Sequence, residues 1–161
     1  MARRKKDKWD GDERRGAVTV LIAGDNADAN ELLSRVLAVE GLRPVTATSV
    51  DAATARAVEQ LPRAAVVDLG GGGVSASLQF LDWVRSNEDD RISRCRVVIV
   101  ARSSANRTFA FQSGADDFLQ RPFHASELVA AITEALSTSQ ADMPARRRQL
   151  LDRKSEPAAE A

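Results

Sequence analysis

The stretch Arg63-Ala64-Ala65-Val66-Val67-Asp68-Leu69-Gly70-Gly71-Gly72-Gly73 sets the reading of the chain. An unbroken apolar run with two valines suits a strand buried on both faces of a parallel sheet. Asp68 then sits at the carboxyl end of that strand, the edge where open α/β sheets place ligands and chemistry. The four glycines that follow leave the backbone free to approach whatever meets the carboxylate. They form no phosphate-cradling P-loop, because no Gly-Lys-Ser/Thr comes after them.

Working outward, Val18 to Ala23 is an apolar, β-branched strand that ends in Gly24-Asp25-Asn26. Asp28 is placed to cap the next helix, in which Leu32, Leu33, Val36, Leu37 and Val39 recur at helical spacing. Gly41 stops it. Pro44 to Thr48 reads as a second strand, and Asp51 to Leu61 as an alanine-rich helix ended before Pro62. Beyond the glycines, Ser77 to Ser86 predicts a third helix with Leu78, Leu81 and Val84 inward. Glu88 to Arg94 is a polar loop, and Val97 to Ala101 a fourth buried strand. A short helix from Asn106 to Ser113, a strand Asp117 to Gln120, the turn Arg121-Pro122-Phe123 and a helix from Ala125 to Leu136 complete the pattern. Regular alternation of strand and helix demands a parallel sheet with helices on both faces and right-handed crossovers.

Composition narrows the function classes. Apolar residues make up 43% of the 161, enough for a core, and the formal net charge is zero. No global field therefore favours nucleic acid or acidic lipid. Cys95 is the single cysteine, so no disulfide and no Cys/His metal cluster is expected. His124 is a lone histidine and reads as a surface residue. The charged start is followed by no apolar stretch, so neither a signal peptide nor a membrane span is expected, and a cytoplasmic location follows. Residues 1–16 read as a disordered charged arm, 17–137 as the folded domain, and 138–161 as a polar, mostly disordered tail with a short basic helix near Arg146 to Lys154. The basic residues of the arm are diluted by Asp7, Asp10, Asp12 and Glu13, which favours a solubilising role over a nucleic-acid contact; Trp9 is its one candidate docking anchor.

A strand ending in an acidic position, a central strand ending in Asp68, and the segment Gly114-Ala115-Asp116-Asp117-Phe118-Leu119-Gln120-Arg121-Pro122-Phe123 before a helix together resemble the receiver domain of bacterial two-component response regulators. The resemblance spans residues 18–137. It implies a flavodoxin-like, doubly wound five-stranded parallel sheet in the order 2-1-3-4-5. It also implies that Asp68 accepts a phosphoryl group from a histidine kinase, by nucleophilic attack of the carboxylate to give a mixed anhydride. Asp25, Asp68 and the backbone of Gly70 would hold Mg2+, Arg121 would contact the phosphoryl group at the family's Lys position, and Ala101 and Phe118 occupy the switch positions. A cis Arg121-Pro122 peptide is also implied.

The sequence departs from the family pattern at several of these places. Gly24 stands where a first acid is usual, Ala101 where a Ser or Thr is usual, and Arg121 where a Lys is usual. Asn26 is a candidate neutral ligand, and Ser103 a displaced substitute for the missing hydroxyl. The usual Pro-Gly after the acceptor is Gly72-Gly73. Loss of one preorganised donor typically removes roughly 3 kcal/mol of transition-state stabilisation, so phosphorylation is expected to be slow or absent and magnesium weak or absent. If the pocket is merely eroded, Ala101→Thr with Gly24→Asp is expected to raise it; no rise places the fault in the shortened fourth-helix region.

Two functions follow as expectations. One is a stand-alone atypical response regulator, phosphorylated on Asp68, with a protein–protein output through the face between the fourth and last helices, where such domains often form homodimers. The alternative is a phosphorylation-independent pseudo-receiver that docks on a larger complex. No DNA-reading domain follows the receiver pattern, and no second catalytic group accompanies Asp68, so the chain is not expected to be an enzyme.

Overall fold

The computed structural model describes residues 17–69 and 74–154. The N-terminal arm, the Gly70 to Gly73 run with its expected backbone ligand Gly70, and residues 155–161 lie outside the described residues.

Five parallel strands form one sheet in the order β2-β1-β3-β4-β5. They are β1 (Thr19–Ala23), β2 (Arg43–Ala47), β3 (Ala64–Leu69), β4 (Arg96–Ala101) and β5 (Asp117–Gln120). Every residue of β3 and β4 is buried, because both strands lie inside the sheet with helices over each face. The register pairs Val66 with Val98 and Val67 with Ile99, which brings Asp68 level with Val100. This is the doubly wound arrangement that the sequence implies.

Alternating side chains divide the core into two layers. Val20, Ile22, Val66, Val98 and Val100 meet α1 (Ala27–Val39) and α6 (Ala125–Ser137) on one face. Leu21, Val67, Val97, Ile99 and Phe118 meet α2 (Val50–Gln60), α3 (Val74–Arg85) and α5 (Arg107–Gln112) on the other. Each large apolar side chain buried this way contributes ~1.5–3 kcal/mol.

Several boundaries differ from the sequence reading for local reasons. Helix α1 is capped by Asn26, whose Oδ1 accepts from Ala29 N at 2.9 Å, rather than by Asp28. Helix α2 starts at Val50 because the Ser49 hydroxyl accepts from Ala52 N at 3.0 Å. Helix α3 begins three residues earlier than expected, at Val74. The polar loop contains a helical turn, α4 (Asp90–Ser93), capped by Asp89. Of the apolar stripe on α1, Leu33 and Leu37 are buried while Leu32 and Val39 are exposed.

Residues 143–154 form a further helix, α7 (Met143–Lys154), with Met143 and Leu150 buried against the domain. It includes the short basic helix expected near Arg146 to Lys154 and starts three residues earlier. Arginines, not a broad apolar stripe, hold it on the domain, where the sequence reads as a mostly disordered tail.

Candidate functional site

The carboxyl ends of β1, β3 and β5 assemble the site. Asp68, the penultimate residue of β3, is 8% exposed. Arg121 follows the last residue of β5, and its amide donates to the Ala101 carbonyl at 2.7 Å, which extends the strand register by one step. The Arg121-Pro122 peptide is cis, as the resemblance implied. From there the guanidinium reaches across β4, two inter-strand spacings or ~10 Å, to Asp68. Nη1 donates to Oδ1 and Nη2 to Oδ2, each at 3.0 Å. On the intervening β4, Ala101 is level with Leu69 and Gln120, one step beyond Asp68 and one short of Arg121, and contributes only a methyl group.

This two-pronged pairing is available to arginine because its planar fork matches a carboxylate; a lysine ammonium cannot occupy both oxygens in the same plane. The guanidinium carbon also lies 5.9 Å from the centre of the Phe123 ring, within cation–π reach. The Ser77 hydroxyl, in the first turn of α3, donates to the Asp68 carbonyl at 3.3 Å.

Asp25 is exposed on the β1–α1 loop and shares a cleft of ≈ 300 Å³ with Gly24 and Asp68. The floor of the cleft is apolar, made by Ala23, Val67, Ala53 and Phe80. The structure therefore brings the three predicted residues Asp25, Asp68 and Arg121 to one rim. Ala101 and Phe118 are both buried beneath it.

Gly24 is more crowded than the sequence suggests. A Cβ placed there would lie 2.9 Å from both Asn30 Oδ1 and the Asp68 Cβ. Glycine lets the β1–α1 turn approach β3 closely, so a side chain at this position would shift Asn30 or Asp68. Ser103 does not replace the missing hydroxyl, since its Oγ accepts from Ala105 N at 3.0 Å within an exposed turn.

As arranged, a magnesium ion would have to share Asp68 with Arg121. Both Asp68 oxygens are engaged by Arg121, and Asn26 spends its side-chain oxygen on the α1 cap. Among the described residues no group of three His, Cys, Asp or Glu side chains could hold a metal. Asn30, which the sequence reading missed, donates to the Gly24 and Ala47 carbonyls at 2.9 and 3.3 Å. Its Oδ1 is buried without a partner. That single neutral oxygen suits a water better than a dication, which needs charge and near-octahedral ligands.

A second group of charges lies at the opposite end of β5. Asp116 is fully buried and accepts from Arg85 Nη2 at 2.7 Å, from Arg147 Nε and Nη2 at 3.0 and 2.7 Å, and from Val97 N at 2.8 Å. Asp117 Oδ2 takes a longer contact from Arg146, at 3.4 Å. Nearby, burial pushes the Cys95 thiol up to about 12, beyond nucleophilic use at neutral pH. His124 is exposed at the start of α6 and makes no capping bond.

Comparison with known proteins agrees with the fold. No family model matches the chain. The transcriptional regulatory protein PrrA of Mycobacterium tuberculosis is 33% identical over 118 residues, covering 73% of this chain and 49% of its own. The phosphate regulon transcriptional regulatory protein PhoB of Klebsiella pneumoniae is 30% identical over 115 residues, covering 70% and 49%. The chain thus spans about half the length of these relatives. Among solved structures, the receiver domain of NtrX from Brucella abortus superposes with a TM-score of 0.65 at 28% identity, covering 74% of this chain and 99% of that one.

Proposed function

This chain contains a receiver domain of the response-regulator family, and on that premise we propose that it signals by protein–protein contact, with Asp68 held closed by Arg121. The bidentate pair at 3.0 Å carries the reading. To attack a phosphoryl donor, one Asp68 oxygen must first leave the guanidinium, and the incoming charge must then be met without the hydroxyl that Ala101 lacks. The pair already neutralises the carboxylate, so the domain stays in one charge state without a kinase. On this reading it is a binding module rather than an enzyme, located in the cytoplasm, and its partner is a protein that recognises the folded domain.

One observation favours a second reading, phosphorylation from a histidine kinase: Asp25 and Asp68 face the same cleft. A magnesium ion drawn by Asp25 would then compete with Arg121 for Asp68. Incubation of the full chain with acetyl phosphate and magnesium, followed by intact mass, separates the two. We expect no added phosphoryl group. A full adduct that disappears in Asp68→Ala establishes the second reading.

A further inference from the structure

The cleft beside Asp68 is not the space that Arg121 fills. Among the described residues that line it, none comes from β4, β5 or the turns that follow them. It opens instead between the starts of α2 and α3, and small side chains give it its shape. Ala23, Ala53 and Ala76 each supply one methyl group, so a space of ≈ 300 Å³ reaches down to Val67 and the Phe80 ring. Val67 and Phe80 are almost wholly buried, and their side chains bring no polar atom to the floor. A hollow of this size stands at the small end of sites that take a small molecule.

The rim is charged. Asp68 is neutralised by Arg121, whereas Asp25 is exposed and has no hydrogen bond or ion pair among the described residues. The positive ends of α1, α2 and α3 oppose a cation at this edge. Asp28 and Asp51 in the first turns of α1 and α2 offset two of them, and the roughly half charge of the third is less than the full charge of Asp25. An apolar hollow under one unpaired carboxylate fits a primary amine carried on an apolar body. The hydrocarbon displaces water from the floor, while the ammonium stays wet at the rim beside Asp25.

We propose that this cleft binds a small apolar amine and that Asp25 selects its charge. The proposal rests on the closed Asp68–Arg121 pair, which leaves Asp25 as the net charge at the rim. The site carries its own reporter: Trp83 stacks on Phe80 with ring centres 6.0 Å apart, so an occupant pressed against Phe80 alters Trp83 emission.

The test titrates the full chain carrying Trp9→Phe, which leaves Trp83 as its single tryptophan, with 2-phenylethylamine, 2-phenylethanol and phenylacetate. The three share an apolar body and differ in charge. The expected result is a saturable change in Trp83 emission, with the amine ~5-fold tighter than the alcohol and phenylacetate the weakest. Asp25→Asn should bring the amine level with the alcohol and leave the alcohol unchanged. Ala76→Leu fills the cleft from α3 and should weaken both at least ~10-fold. If circular dichroism shows that Ala76→Leu has not folded, Thr48→Leu, on the exposed side of the mouth, is read in the same way. No saturable change up to ~10 mM overturns the proposal. So do tightest binding by phenylacetate, an amine preference that survives Asp25→Asn, and binding that survives the filled cleft. Phosphoryl uptake is read by mass with no amine present, so an adduct on Asp68 sinks the closed-pair reading, and a titration without amine preference sinks this one alone.

Discussion

The domain carries two buried aspartate–arginine sites near opposite ends of its sheet, and they are built differently. Asp116 is fully enclosed and receives donors from α3, α7 and the backbone of β4. Asp68 receives one side chain, from Arg121, at the edge of an open cleft. A carboxylate tied to three separate elements cannot be freed without parting them. A carboxylate tied to one flexible side chain is freed by a rotation. Burial and charge are similar in the two places; the number of independent tethers is what separates a structural knot from a closed functional site.

The contrast can be broken most directly by removing each carboxylate. Asp116→Ala takes the acceptor from Arg147 and from the buried Val97 amide, leaves Arg85 only its three backbone carbonyls, and should destabilise the fold by ~3–5 kcal/mol, measured by urea unfolding. Asp68→Ala releases Arg121 toward solvent and should cost about 1 kcal/mol. Equal losses would erase the distinction. Gly24→Ala tests how tightly the rim is built. The methyl group would overlap Asn30 and Asp68, and a loss of ~1–3 kcal/mol is expected from overpacking.

Cys95 sharpens the other side of the comparison through pH. Burial raises its thiol from an ordinary 9.0 to about 12. Between those values the unfolded chain has released the proton while the folded chain retains it. Stability is therefore full below pH 9 and falls as pH rises toward 12, by at most ~1.4 kcal/mol per pH unit. Cys95→Ala should flatten that fall in unfolding measurements at pH 8 and 10. The smallest effect on stability, under about 1 kcal/mol, is expected from Arg121→Lys, which keeps the charge but frees one Asp68 oxygen. Intact mass after acetyl phosphate treatment should then show more adduct than wild type. An unchanged mass would mean that the fork is not what protects Asp68.

The sheet was legible because β3 and β4 are apolar without interruption, and Asp68 and Arg121 because each sits where a strand stops. Asp116 was not legible. Nothing in Asp116-Asp117 says which carboxylate is enclosed, since the arginines that enclose Asp116 lie 31 positions away on either side. The basic helix near Arg146 to Lys154 was legible, but its packing on the domain was not: Met143, Leu150 and Leu151 are spread among polar residues, and arginine reads as a solvent-facing residue until its acceptor is known. The crowding at Gly24 depends on Asn30 folding back from α1, a contact with no periodic signature. The helix starts at Asn26 and Ser49 were set by single side-chain caps, where a neighbouring aspartate looked equally suitable.

Helix α3 touches both aspartates. Ser77 in its first turn holds the carbonyl of Asp68, and Arg85 at its last residue grips Asp116. The helix is thus a rigid strut, ~12 Å between those two residues, with the Asp68 rim at one end and the anchor of α7 at the other. A tilt of that strut cannot be confined to one end, so the same rigid piece that shapes the surroundings of Asp68 also bears on the grip that keeps the C-terminal helix in its seat.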